Sequence, residues 1–410
     1  MDAKIEENPY LCQHNQQIMQ ISPATLRFVE EHLHADVRVL ALQASKYPEV
    51  DMAMAVIQIA GRQIAEVKIP SWYRVQGLLY PKHLSMEQCS SEATALYKAS
   101  LMDGESFADL TGGFGIDCSF ISSHFKRTHY VERQKELCEL VAHNFSLLGL
   151  DIKVHHQDGV DFLKNMGPVD CLFLDPARRD GQGGKTVAIS DCEPDVSILE
   201  PLLVEKARMV MIKLSPMLDL SLALNTLKHV SEAHVVSVNN ECKELLLMLD
   251  ACHQGELKIH TANIGTSREC QHFSFTLNKE HDAVCRIASQ WGTYLYEPNA
   301  SILKAGAYKV LTEVFPVQKL HINSHLYTSD DYLPAFPGRR FKIEGVSGFG
   351  KKELKTMLEG VEKANLTVRN FPSSVADLRK RLKLKEGGAI YLFATTGPDE
   401  RKVLVKCVKS

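Results

Sequence analysis

Apolar positions follow different rhythms along the chain. Up to about Lys82 they recur every three or four residues, as in RFVEEHLHADVRVLALQA and MAMAVIQIAGRQIAEV, and Pro70 closes the region. That spacing buries one stripe of an amphipathic helix. Ser85 followed three residues later by Gln88 has the form of a capping box, predicting one helix through SMEQCSSEATALYKASL to the Asp103-Gly104 turn. Short apolar runs then alternate with helix-capable sequence. Residues 106–110 (SFADL), 128–132 (THYVE), DIKVHHQD, VDCLFLDP and RMVMIKLSP predict five strands. Repeated β-α-β at this spacing implies a parallel sheet covered by helices on both faces. HVVSVNNECKELLLMLD breaks the rhythm, because Asn239-Asn240-Glu241 leaves no room for a helix between two apolar runs. Those runs must pair as a hairpin, putting one antiparallel strand at the end of an otherwise parallel sheet.

After about Gly255 the pattern is mixed. GELKIHTAN and HFSFTL read as strands, and DAVCRIASQWGTYLYEPNASILKAGAYKVLTEV as helix, strand, helix. The Pro/Gly-containing stretch LPAFPGRR, residues 333–340, marks a boundary. Beyond it KKELKTMLEGVEKA and SSVADLRKRLKL predict helices, and RFKIEGV, LTVRNF, AIYLFATT and KVLVKCV predict strands.

At 45% apolar and 24% charged residues, the composition is that of a soluble chain with a packed core, and 410 residues suffice for two to three domains. No run approaches the roughly 18 apolar residues of a membrane span, and residues 1–9 carry acids where a signal peptide needs a basic and then apolar run. A cytoplasmic protein is expected. The eleven cysteines include no C-x-x-C pair, and the histidines lack ligand spacing such as H-E-x-x-H, so no metal is expected. Charge is unevenly spread. Residues 339–410 hold 17 Lys or Arg against 8 Asp or Glu, a net +9, whereas the rest of the chain carries −12. A basic module on an acidic body suits nucleic-acid binding, and equally a solvated surface without a partner.

Candidate chemistry gathers at strand ends. Asp109 closes the first strand, and Gly112, Gly113 and Gly115 follow in TGGFGID, where missing Cβ atoms let backbone N–H groups approach a ligand. Glu132 ends the second strand, where a carboxylate accepts from ribose hydroxyls. Asp158 follows the third strand with Gly159; it suits either an adenine amino group or a helix N-cap. Asp175 and Pro176 end the fourth strand in LDPARRD, facing the crevice where open α/β sheets bind ligands. A dinucleotide fold would place its glycines as G-x-G-x-x-G; here G-G-x-G is followed by Asp117.

The order DLTGGFG, Glu132, QDG and DPAR, with a terminal hairpin, resembles a class I S-adenosylmethionine-dependent methyltransferase over about residues 88–250. More narrowly, the chain is similar to bacterial RNA methyltransferase-like proteins related to the trimethylguanosine synthase group. The resemblance implies a helical region at 1–82 and a Rossmann-like seven-stranded methyltransferase sheet at 83–255. An α+β ferredoxin-like segment at 256–324 and a basic THUMP-like RNA-binding domain at 325–410 would follow. It implies S-adenosyl-L-methionine as cofactor, with Asp109, Gly112, Gly113 and Gly115 at its methionine end, Glu132 at the ribose and Asp158 with Gly159 at the adenine. Gln88 and Ser91 would close over it, and Asp175 and Pro176 would face the methyl acceptor. Amino-directed nucleic-acid methyltransferases commonly read Asn/Asp-Pro-Pro-aromatic at this strand end; this chain has Asp175-Pro176-Ala177-Arg178. Arg178 or Arg179 could take over stacking on a base or pairing with phosphate, and Lys213, which ends the fifth strand, could also contact substrate.

The expected reaction is methyl transfer to an exocyclic base amine such as guanine N2, on an RNA such as ribosomal or transfer RNA. Two alternatives stay open: a noncatalytic RNA-binding protein that retains the pocket, and a methyltransferase for a protein or small molecule. Cys192 is the first thiol after the fourth strand end, 17 residues past Asp175, and its flanks do not favour a thiolate.

Overall fold

The computed structural model describes residues 21–178, 188–266 and 269–410. Two compact units form: one of residues up to Leu214 with Leu222–His229 and Met248–His253, the other of Ser215–Ser221, Val230–Leu247 and Gln254–Ser410. Among the described residues no helix is long and apolar enough to cross a membrane.

The first unit begins with α1 (Pro23–Glu31), α2 (Val37–Ala41), α3 (Met52–Lys68) and α4 (Pro70–Tyr73). Ser22, Asp36 and Asp51 cap the first three by accepting backbone N–H groups. The stripe predicted from spacing is buried as a core of Phe28, Val29, Leu40, Met52, Ala55 and Ile59. Past α4, Leu79 and Tyr80 run buried. Their backbone groups are satisfied by side-chain amides: Gln58 donates to and accepts from Tyr80, and Asn144 does the same for Leu79. A buried extended segment without a strand partner needs such bonds.

The single helix expected from Ser85 is two. It divides into α5 (His83–Gln88) and α6 (Glu92–Ala99), with Cys89 extended between them. The capping serine is Ser91, which accepts from the Thr94 N–H, not Ser85.

Strands β1 (Ser106–Asp109), β2 (Arg127–Glu132), β3 (Ile152–His156), β4 (Val169–Leu174) and β7 (Ala207–Leu214) pair in parallel in the order β3-β2-β1-β4-β7. Helices α7 (Ile116–Ile121), α8 (Lys135–Leu147), α9 (Gly159–Asn165) and α10 (Val196–Lys206) make the crossovers, and β5 (Ala177–Arg178) pairs with β6 (Cys192–Glu193) beside β4. Because β1 lies between β2 and β4, the winding reverses there. The crevice at such a reversal, outside the carboxyl ends of the strands, is where open α/β sheets bind ligands.

After α11 (Leu220–Thr226), the strands of the second unit begin with β8 (Val230–Val238) and β9 (Glu241–Leu249). The two residues between them, Asn239 and Asn240, have φ of 51° and 66°. Positive φ at both positions is what a tight hairpin turn requires. This hairpin is the antiparallel element expected from the sequence. Two more follow: β10 (Lys258–Ile264), parallel to β8, and β11 (Cys270–Thr276), antiparallel to β10.

The helix expected over DAVCRIASQ does not form there. Instead α12 (Leu277–Asp282) ends at its first residue, and Arg286 and Ala288 exchange backbone bonds with Lys319. A second sheet follows, of β12 (Tyr294–Pro298), β13 (Gln318–Lys319), β14 (Tyr327–Ser329), β15 (Gly338–Ser347), β16 (Asn365–Val368), β17 (Ile390–Thr396) and β18 (Lys402–Lys409), ordered β13-β14-β12-β15-β18-β17-β16. Short helices α13 (Ala300–Ala305) and α14 (Leu311–Val314) follow β12. The Pro/Gly stretch at 333–340 runs into β15, which pairs with β12, so one sheet holds strands from both sides of it. Alternation along β17 and β18 divides the core: Phe393, Val405 and Cys407 face one layer, while Leu392, Ala394 and Leu404 face the other with Leu354 of α15 (Lys351–Met357) and Leu378 of α16 (Val375–Leu382).

Candidate active site

The carboxyl ends of β1, β2 and β4 are joined by their own polar groups. Asp109 is 1% exposed and accepts the Thr111 N–H at 3.0 Å; the Thr111 hydroxyl in turn accepts the Asp175 N–H at 2.6 Å. Glu132 accepts from the Gly113 N–H at 3.0 Å and the Gln134 N–H at 2.8 Å, fastening the glycine turn to the end of β2. A Cβ on Gly112 would lie 2.2 Å from the Tyr130 ring, so the turn sits flush on β2. Gly113 is different: its φ is +55°, and a Cβ there would meet nothing nearer than the Thr111 carbonyl at 3.8 Å. Gly115 precedes α7 in a left-handed conformation.

Asp158 caps α9, accepting the Val160 and Asp161 N–H groups through Oδ1, and is exposed. The N-cap alternative therefore accounts for one of its oxygens. Gly159 lies against the Leu110 carbonyl, where a Cβ would come within 2.1 Å, and the Gln157 N–H bonds the Glu132 carbonyl. Asp109, Glu132, Asp158 and Asp175 thus belong to one cluster of loops. Gln88 is exposed at the end of α5. Pro176 is buried, the backbone of Arg178 pairs with Cys192, and Arg179 falls outside the described residues.

A second layer was not expected from the sequence. Lys98, wholly buried on α6, puts its Nζ 3.2 Å from Asp117 on α7. Lys213 puts its Nζ 3.6 Å from Asp117 and 2.5 Å from Asp175. Ser90, in the break between α5 and α6, donates to Asp117 at 2.7 Å and accepts from Lys98 at 3.2 Å. The charges alternate in sign from Lys98 to Asp175, and the Lys213 ammonium is shared between two carboxylates. The available signal was Lys98 itself, buried with Ala95 and Ala99 on the apolar side of its helix.

The electrostatics separate two acids that are both buried. Burial pushes the Asp109 carboxyl well above the usual carboxylate range; the Thr111 N–H opposes this, and Asp117, Asp175 and Glu132 add to it. Burial acts upward on Asp117 too, but Lys98, Lys213 and the Ser90 hydroxyl outweigh it and hold the carboxyl low. Cys89, whose thiol feels both Asp117 and Lys213, is pushed up to about 11 chiefly by burial, which disfavours a thiolate nucleophile. A cavity of about 490 Å³ lined by Arg127, His129, Lys153 and His155 is distinct from this cluster; its Ser106, Arg127 and Val169 walls lie at strand starts. The strand ends have the stronger claim, since they carry the convergent carboxylates.

A crystal structure of a candidate methyltransferase from Porphyromonas gingivalis W83 matches 94% of this chain and 98% of its own, with 34% identity and a TM-score of 0.84. The chain belongs to this family. Family models match a ferredoxin-like domain at residues 294–337 and a THUMP-like domain at 338–408. A candidate class I S-adenosylmethionine-dependent methyltransferase from Listeria monocytogenes matches 59% of the chain and 93% of its own, at 12% identity and a TM-score of 0.35. A candidate methyltransferase from Streptococcus mutans, in complex with SAH, matches 39% of the chain and 96% of its own, at 12% identity and a TM-score of 0.29. No curated protein matches. The family is one of methyltransferases, and the sequence resemblance implies S-adenosyl-L-methionine as the cofactor. The residues fit it: a turn open in front of Gly113, a buried carboxyl at Asp109 and an acid at the end of β2 form a donor and acceptor set for a cationic amino-acid end and a ribose.

Proposed function

We propose that this methyltransferase acts on RNA and methylates an exocyclic base amine such as guanine N2. The observation that carries the reading is the joining of β1 and β4 through Thr111, which sets Asp175 and Pro176 beside the Asp109 and Gly113 cradle. In this reading Asp109, Gly112, Gly113 and Gly115 hold the methionine end of the cofactor, Glu132 the ribose, and Asp158 with Gly159 the adenine. Gln88 and Ser91 border the pocket. S-adenosyl-L-methionine supplies a methyl already activated on sulfonium, so the chain chiefly has to orient a nucleophile roughly 3 Å away.

Asp175 does that orienting. Its Oδ2 faces Lys213, which leaves Oδ1, with the Pro176 carbonyl, to accept the amine hydrogens and direct the nitrogen lone pair. Lys213 is then a positioning residue for Asp175 rather than a substrate contact. Arg178 and Arg179 would approach the flipped base or its phosphate. RNA is favoured by the THUMP-like match and by the exposed Lys351, Lys352 and Lys355 of α15 and Lys380 and Arg381 of α16, helices that share one layer.

The test is tritiated-methyl transfer onto RNA from cells lacking the protein, followed by nucleoside mass spectrometry. Asp175→Ala should lower transfer by roughly 100-fold or more with cofactor binding nearly intact. Equal loss of binding and transfer would remove Asp175 from the acceptor side. Cofactor binding without transfer to any RNA would favour the noncatalytic alternative.

A further inference from the structure

Away from the strand-end cluster, three side chains of the second unit meet on one face of the β8–β10 pair. Glu232 and His234 stand two residues apart on β8 and so project to the same side. His260 on β10 is directly across from His234 in the parallel register, and Ser274 on β11 is directly across from His260. The two imidazoles are stacked, with centroids 4.7 Å apart and planes 17° from parallel. Glu232 Oε2 lies 3.3 Å from His234 Nε2 and 3.6 Å from His260 Nε2, and one ligand atom from each residue falls within 4.8 Å of the other two.

These lengths have a chemical meaning. A tetrahedral ion with bonds of about 2.0–2.1 Å holds its ligand atoms about 3.4 Å apart. Two of the three edges are already close to that. His260 adds a second observation: its Nε2 is buried without a hydrogen-bond partner, while its Nδ1 lies 2.8 Å from the Ser274 hydroxyl. At 3.6 Å the carboxylate is too distant to be the missing partner. With Nδ1–H donating to Ser274, the Nε2 lone pair is left beside the Glu232 carboxylate, an arrangement that a cation relieves. Metal-bound histidines are fixed in this way by a bond from the other ring nitrogen.

We propose that Glu232, His234 and His260 bind one divalent transition-metal ion of the zinc class, with a fourth position open to water. The ion would cross-link β8 to β10. No pair of these residues matches a familiar ligand spacing, because the site depends on strand register.

The test uses the full chain, dialysed against chelator and titrated with Zn²⁺ by calorimetry, alongside His260→Gln and Glu232→Gln. Both residues are partly exposed, so these variants should retain the wild-type melting profile, which is checked in parallel. Wild type should bind one ion at this site, each variant should bind it at least about 100-fold more weakly, and the Co²⁺ form should show no thiolate charge-transfer band. Affinity unchanged in both variants, a thiolate spectrum assigning the ion to a cysteine such as exposed Cys252, or no binding by wild type would each overturn the proposal.

Discussion

Asp109 is the residue whose protonation should report on the cofactor. Its carboxyl is raised by burial in the free protein, whereas a bound sulfonium and ammonium favour the carboxylate. Binding should therefore release a proton. Below the raised pKa, affinity for S-adenosyl-L-methionine should increase with pH by up to about tenfold per unit and flatten above it. Calorimetry between pH 5 and about 7, in buffers of different ionisation heat, measures both affinity and proton release. Asp109→Asn should bind more weakly and without that slope.

Lys98 makes a different prediction. Its ammonium is buried against Asp117, and removing one partner of such a pair leaves an uncompensated buried charge. Lys98→Met should lower stability by about 3 to 5 kcal/mol in denaturant unfolding. The double variant with Asp117→Asn should recover part of that loss.

At the scale of elements, the acids that close β1 to β4 were legible because each ends an apolar run, and an open α/β sheet directs those ends to one rim. The break between α5 and α6 was not. Ser85 with Gln88 and Ser91 with Thr94 offer similar local chemistry, and only packing decides that Ser91 caps while Ser90 turns toward Asp117. Ser91→Ala should cost about 1 kcal/mol in thermal unfolding, and Ser85→Ala less than about 0.5. DAVCRIASQ misled for a related reason. Its apolar spacing suits a helix, but the backbone bonds of Arg286 and Ala288 go to Lys319, a partner remote in sequence. The Lys98–Asp117–Lys213–Asp175 chain was equally hidden, since its members come from four separate elements.

Across the whole molecule, the charge asymmetry was legible but its use was not. Arg339 and Arg369 of the basic segment are both held by buried Glu297 and so serve the fold. The exposed lysines of α15 and α16 are left for the proposed RNA contact. Lys351→Gln with Lys380→Gln should weaken RNA binding uniformly across sequences and reduce the slope of log affinity against log salt by about 0.7 to 0.9 per lost phosphate contact. A filter-binding titration over a range of salt reads that slope.

The central claim is that the loops after β1, β2 and β3 form the seat of a methyl donor. Calorimetric titration of the full chain with S-adenosyl-L-methionine, compared with Glu132→Ala, tests it most directly. The account predicts one donor molecule per chain, bound at least about tenfold more weakly when the Glu132 carboxylate is removed. Donor binding that is absent from the native chain, or indifferent to Glu132, would contradict it.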